Sequence, residues 1–114
     1  MQDWNRLKER FLKDTISTRM GSTAANLSRI KTLTQKAISR KTIEYLFQES
    51  KYFIEWMVRD VDVEIAVEFV ELQRQIVNWQ IHWAEIWDNP EERQKVADRS
   101  QFWADRILQL SGLL

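Results

Sequence analysis

The chain of 114 residues lacks cysteine and contains only one histidine, two glycines and one proline. Without cysteine, disulfide-stapled scaffolds, thiol enzymes and cysteine-ligated zinc or iron–sulfur sites are excluded. β-Sandwiches and β-barrels need many turns, so the scarcity of glycine and proline argues against both classes. Disorder is not expected, because 44% of the residues are hydrophobic and 17 basic side chains balance 17 acidic ones. We therefore expect a nearly all-helical domain covering residues 1–114.

Long apolar segments are also missing. The longest segment without a charged residue is 75–84, which contains Gln75, Asn78 and His82 and is too short to span a bilayer. The N-terminal sequence MQDWNRLKERF carries charges where a signal peptide has an apolar segment. We therefore expect a cytoplasmic protein without a membrane span.

Hydrophobic periodicity predicts an all-α, antiparallel bundle of four to five helices. The first helix is expected to begin after Asp3 as N-cap and to break at 20–23, where Gly21 lies. Asn89 and Pro90 are typical of the start of a last helix. After the first helix, the predicted helices cover about 23–38, 42–59, 61–88 and 90–110.

The junction between the third and fourth predicted helices contains neither glycine nor proline. A turn capped by Asp60 is favoured there, and one continuous helix over about 42–88 is the alternative. The helix over 61–88 is predicted to be long and central, because it is apolar on two sides. Its inward stripe is Ile65, Phe69, Leu72, Ile76, Trp79, Trp83 and Trp87. A second strip, which we call the valine strip, is Val63, Val67, Val70, Val77 and Ile81.

The valine strip lies about 140–200° from Ile65 on the helical wheel. A helix with two apolar sides is either central in its bundle or covered by another subunit. The third helix carries a further apolar feature, the aromatic face formed by Tyr45, Tyr52 and Trp56, with Arg59 beside it. Large aromatic side chains next to an arginine are typical anchors of protein interfaces. The alternative is that the first or last helix of the same chain covers them.

These surfaces predict a non-enzymatic helical interaction module that self-associates, most simply as a dimer. Residues 1–44 carry a net charge of +6 and residues 45–114 a net charge of −6, which favours complementary docking of two copies. No nucleophile or phosphate motif is found, and no cofactor or metal is expected. His82 lies on a polar strip near Glu85, and Glu64, Glu68 and Glu71 are interpreted as a solvated helix face.

Two alternative functions remain open at this point. Exposed cations on or near the second helix favour binding of nucleic acid or another anionic surface, although no aromatic side chain lies among them for base stacking. This basic surface is Arg29, Lys36, Arg40 and Lys41. The tryptophan ladder, Trp79, Trp83 and Trp87, has the spacing to line a groove for a flat apolar ligand, but core packing is the simpler interpretation.

Overall fold

The computed structural model of the protein describes residues 3–113 and confirms the all-α class: within this range six helices pack against one another and no strand occurs. Met1, Gln2 and Leu114, the outermost residues of the predicted domain, lie outside the described residues. None of the helices in the described range combines the length and apolar character needed to cross a membrane. The helices are α1 (Trp4–Lys13), α2 (Ile16–Lys36), α3 (Arg40–Met57), α4 (Val63–Ile81), α5 (Trp83–Trp87) and α6 (Pro90–Ser111), with a 3₁₀ turn (Val58–Asp60) after α3.

The first helix begins at the predicted residue but ends at Lys13, before the predicted break. Asp3 caps α1, and its carboxylate accepts a hydrogen bond from the backbone N–H of Arg6 at 3.1 Å. The predicted break at 20–23 is wrong, because α2 continues through Gly21 and begins after Thr15, whose hydroxyl accepts the backbone N–H of Thr18. Gly21 instead permits a close approach, since a Cβ at this position would lie 3.0 Å from a methyl group of Leu113.

The centre of the bundle is the pair α2 and α6, which pack more extensively than any other two helices of the described chain. They run antiparallel: the hydroxyl of Ser17, near the start of α2, donates to the carbonyl of Ser111, at the end of α6, at 2.8 Å. Many of their buried side chains are small, and small side chains let helices approach closely. The buried residues are Arg19, Met20, Thr23, Ala24, Leu27, Ile30 and Thr34 on α2 and Val96, Ala97, Ser100, Trp103, Ala104, Ile107 and Ser111 on α6.

The turn between α2 and α3 has an unusual backbone. Ala37 and Ser39 adopt positive φ angles of 54° and 58°, a left-handed conformation that normally favours glycine. The backbone N–H of Ile38 donates a hydrogen bond to the carbonyl of Leu33, and this bond satisfies a carbonyl at the end of α2. Ser39 is the residue before α3 and makes no side-chain capping bond, and α3 begins at Arg40, two residues before the predicted start at 42.

A turn separates α3 from α4, as favoured over the continuous helix, but Asp60 does not cap it. The residue before α4 is Asp62, and the Asp60 carboxylate instead lies 3.0 Å from the guanidinium of Arg19. Arg19 is only 7% exposed, and its Nε donates to the carbonyl of Asp14 at 3.1 Å. One buried side chain therefore links the junction of α1 and α2 to the junction of α3 and α4.

The helix predicted over 61–88 is two helices, because α4 ends at Ile81 and α5 begins at Trp83. His82, between them, has φ −102° and ψ 13°, outside the helical range. The expected central position of this helix is also corrected: α4 packs against α3 and α6 at the edge of the bundle. It buries only four residues, Phe69, Leu72, Ile76 and Trp79.

The last helix follows its sequence signals closely. The side-chain oxygen of Asn89 accepts the backbone N–H groups of Glu91 and Glu92, and Pro90 is the first helical residue. Gly112 ends the helix with a φ of 76°, a left-handed position that glycine adopts without strain.

We predict that Ala37→Gly stabilises the protein. A left-handed alanine carries about 1 kcal/mol of strain that glycine avoids, and glycine's greater freedom in the unfolded chain offsets part of this gain. The free energy of unfolding, measured by urea denaturation, should therefore rise by about 0.5 kcal/mol. Ala25→Gly, at an exposed position inside α2, is the control and should lower it by about 1 kcal/mol. Equal losses for both variants would contradict the argument.

Candidate protein-interaction surface

The aromatic face of α3 is covered by α1 of the same chain. The ring of Trp4 lies 5.6 Å from that of Tyr45 and 4.7 Å from that of Tyr52. The ring of Phe11, also on α1, lies 5.8 Å from that of Trp56. Tyr52 and Trp56 are half-buried as a result. The intrachain alternative thus describes this face in the single chain, where α1 covers part of the rings, and partner binding by these residues stays a prediction.

Tyr45 is the aromatic residue of this face that stays exposed. Tyr45 is 37% exposed, and its hydroxyl donates to a carboxylate oxygen of Glu49 at 2.9 Å. Burial, followed by the hydrogen bond to Glu49 and its charge, raises the pKa of Tyr45 to about 12. Arg59, the fourth residue predicted to contact a partner, is exposed in the 3₁₀ turn.

The tryptophan ladder mainly fills the core. The ring of Phe47 lies 5.9 Å from that of Trp79 and packs edge-on against that of Trp83 at 4.9 Å. Trp87 is half-buried, with the guanidinium of Arg40 at 5.8 Å from its ring centroid. A flat ligand along the ladder would therefore have to displace Phe47.

The basic surface is exposed at all four positions. Arg40 forms an ion pair with Glu44 at 3.1 Å, one helical turn later, which reduces its value for binding an anion. Within residues 3–113 the other three cations, Arg29, Lys36 and Lys41, form no ion pair.

The carboxylates of α4 do not form a metal site. Across residues 3–113 no group of three histidine, aspartate or glutamate side chains is arranged to hold a metal ion. Glu71 lies 3.6 Å from Arg74 on the same helix, and Glu64 is exposed. His82 is exposed and lies 3.8 Å from Glu85, the neighbour predicted for it.

Two polar contacts hold α4 against α6. Glu68 accepts two hydrogen bonds from the guanidinium of Arg106, at 2.7 and 2.8 Å. These bonds lower the pKa of Glu68 and raise that of Arg106. The indole N–H of Trp103 donates to Gln75 at 3.1 Å. Both contacts lie on one flank of α4, and together they fix which side of the helix faces solvent.

The side that faces solvent is the valine strip. Val63, Val67 and Ile81 are 76%, 64% and 71% exposed, and Val70 and Val77 are 46% and 37% exposed. A shallow hollow of about 600 Å³, lined by three of these valines and by Trp103, runs beside the strip. The strip lies along a helix of 19 residues, about 28 Å in length.

The valine strip also has a regular spacing along α4. With Arg74 included, its positions 63, 67, 70, 74, 77 and 81 follow steps of four, three, four, three and four. This is the heptad spacing by which two helices pair in a coiled coil. The sequence shows an equally good heptad on the inward stripe, so spacing alone does not identify the face that remains open.

Comparison with known proteins finds no matching family model, no matching curated protein and no matching solved structure.

We predict that Tyr45 ionises near pH 12. Because its pKa in the folded protein lies above the usual value of about 10, Tyr45 contributes stability below pH 10 that is lost as the pH rises toward 12. The Tyr52→Phe protein leaves Tyr45 as its only tyrosine, and its absorbance at 295 nm reports ionisation directly. Adding Glu49→Gln should move the midpoint toward 10. Circular dichroism of the same samples shows whether the fold persists. If Glu49→Gln left the ionisation midpoint of Tyr45 unchanged, this would contradict the hydrogen bond from Tyr45 to Glu49.

A second prediction concerns acid pH. Because the pKa of Glu68 is lowered in the folded protein, its ion pair with Arg106 stabilises the fold above about pH 4.3, and this contribution is lost as the pH falls further. Glu68→Gln should therefore lower the urea midpoint by more at pH 7 than at pH 3. Glu71→Gln, in a more exposed pair, serves as the control and should lower the midpoint at pH 7 by less than Glu68→Gln does.

Proposed function

We propose that this protein is a non-enzymatic helical interaction module that self-associates by burying the valine strip of α4. One observation carries the proposal: a row of aliphatic side chains at heptad spacing, interrupted by Arg74, remains uncovered by the other helices of residues 3–113. Isolated surface hydrophobics are ordinary on soluble proteins, whereas a contiguous apolar patch is typical of an interaction site.

The exposed area is large enough to matter. The five side chains of the valine strip leave roughly 450 Å² of apolar surface in water, at the size at which patches on single chains are often functional. Burial of a patch of this size on each of two protomers would give an interface at the small end of specific protein interfaces, which suits a weak, reversible dimer.

The aromatic face of α3 lies outside the proposed interface. Tyr45, Tyr52 and Trp56 would reach a partner fully only if α1 moved away, and Trp4 and Phe11 anchor α1 on them. In the proposed dimer these rings hold α1 in place, and α4 supplies the contact.

We predict that Val67→Lys abolishes self-association without disturbing the fold. Val67 is 64% exposed in the single chain, so lysine is accommodated there, but in the proposed interface its charge would be buried without a partner. Sedimentation velocity at tens of micromolar should give a dimer for the unsubstituted protein and a monomer for the variant, with equal helical circular dichroism.

Gln35→Lys, an exposed position on α2 with the same change of charge, is the matched control and should remain dimeric. An unsubstituted protein that stays monomeric at 100 μM would overturn the proposed function.

A further inference from the structure

The intervals between the residues of the valine strip, with Arg74 included, are the same when counted from either end of α4. The steps of four, three, four, three and four are symmetric about residue 72. Two copies of α4 that run in opposite directions therefore match position by position. Val63 would face Ile81 of the partner subunit, and Val67 would face Val77 of the partner subunit, so that aliphatic side chains meet along nearly the whole helix.

Arg74 is the one charged residue within this row, and it distinguishes the two possible directions. In a parallel pair, the two Arg74 side chains would lie in the same layer, where like charges repel each other. In an antiparallel pair about residue 72, they separate by four residues along the axis, which is about 6 Å. Each Arg74 then lies opposite Val70 of the partner subunit.

Glu71 flanks the row on the same side of the helix as Arg74. The Arg74 side chain is 78% exposed and lies 3.6 Å from that of Glu71, which is 51% exposed. In the antiparallel pair, Arg74 comes level with Glu71 of the partner subunit, within about 1.5 Å along the axis. Two positive and two negative charges then surround the symmetry axis and sum to zero.

On the premise that the proposed function is right, we propose that two copies of the chain pair through antiparallel α4 helices about a two-fold axis at residue 72. The occupant of the valine strip is thus a second copy of this chain. Complementary charge at the centre and aliphatic contacts on both sides set its direction. A two-fold interface of this kind is closed, so association stops at the dimer.

The chain has no cysteine, so introduced thiols report the direction unambiguously. Val67→Cys and Val77→Cys proteins, the second labelled with ¹⁵N, are oxidised separately and as a mixture, and the products are separated by intact mass. The antiparallel pair predicts that the mixed disulfide dimer forms at least tenfold faster than either homodimer. A parallel pair predicts efficient self-crosslinking of each protein, which would overturn the antiparallel arrangement while leaving the proposed function intact.

Charge reversal gives an independent test by sedimentation. Arg74→Glu places four carboxylates at the axis and should weaken the dimer at least tenfold, whereas Glu71→Arg combined with Arg74→Glu should restore it. A dimer that none of the thiol pairs crosslinks would place the interface elsewhere and overturn both proposals. If the unsubstituted protein is a monomer, the proposed self-association is wrong. Sedimentation shows this before any thiol is introduced.

Discussion

The close packing of α2 against α6 is the constraint on which the other helices depend. Ala24 on α2 and Ala97 and Ala104 on α6 are fully buried, and the two longest helices of the described chain share the centre. The facing sides of α2 and α6 are buried against each other. α3 therefore packs on another side of α2, and α4 packs on α3 at the edge of the bundle. No further helix of residues 3–113 is available to cover the far side of α4. The exposed valine strip follows from this arrangement of the core.

Polar contacts then hold the marginal helix in one orientation. Arg19, near the start of α2, binds Asp60 in the turn before α4. Arg106, on α6, donates two hydrogen bonds to Glu68 on α4. Trp103 adds a third contact through Gln75. A helix fixed along its inner flank presents its outer side chains at constant spacing. This is the preorganisation that lowers the entropic cost of binding a matching surface.

Sequence predicts the features that local chemistry decides and misses those decided by distant contacts. The caps at Asp3 and Asn89 and the stop at Gly112 follow from short motifs. Gly21 carries the same signal as a helix stop, but it lies inside α2, where its neighbour is Leu113, far along the chain. The valine strip is visible as apolar periodicity, whereas its exposure depends on how α2 and α6 fill the centre. Trp4 and Phe11, seven residues apart on one face of α1, were the available signal that α1 covers the aromatic face.

A single arginine within an aliphatic strip reduces affinity and adds direction. A polar residue at one position of a helix seam commonly selects register and orientation at a cost in stability, and Arg74 would serve this role here by penalising the parallel pair. The chain encloses its own core of aromatic and aliphatic side chains without α4's outer face. In the proposed dimer the partner would therefore add nothing to this core, and an interface of modest area would suit reversible exchange between monomer and dimer. Self-association, as proposed, would be a property added to a fold that already encloses its own core.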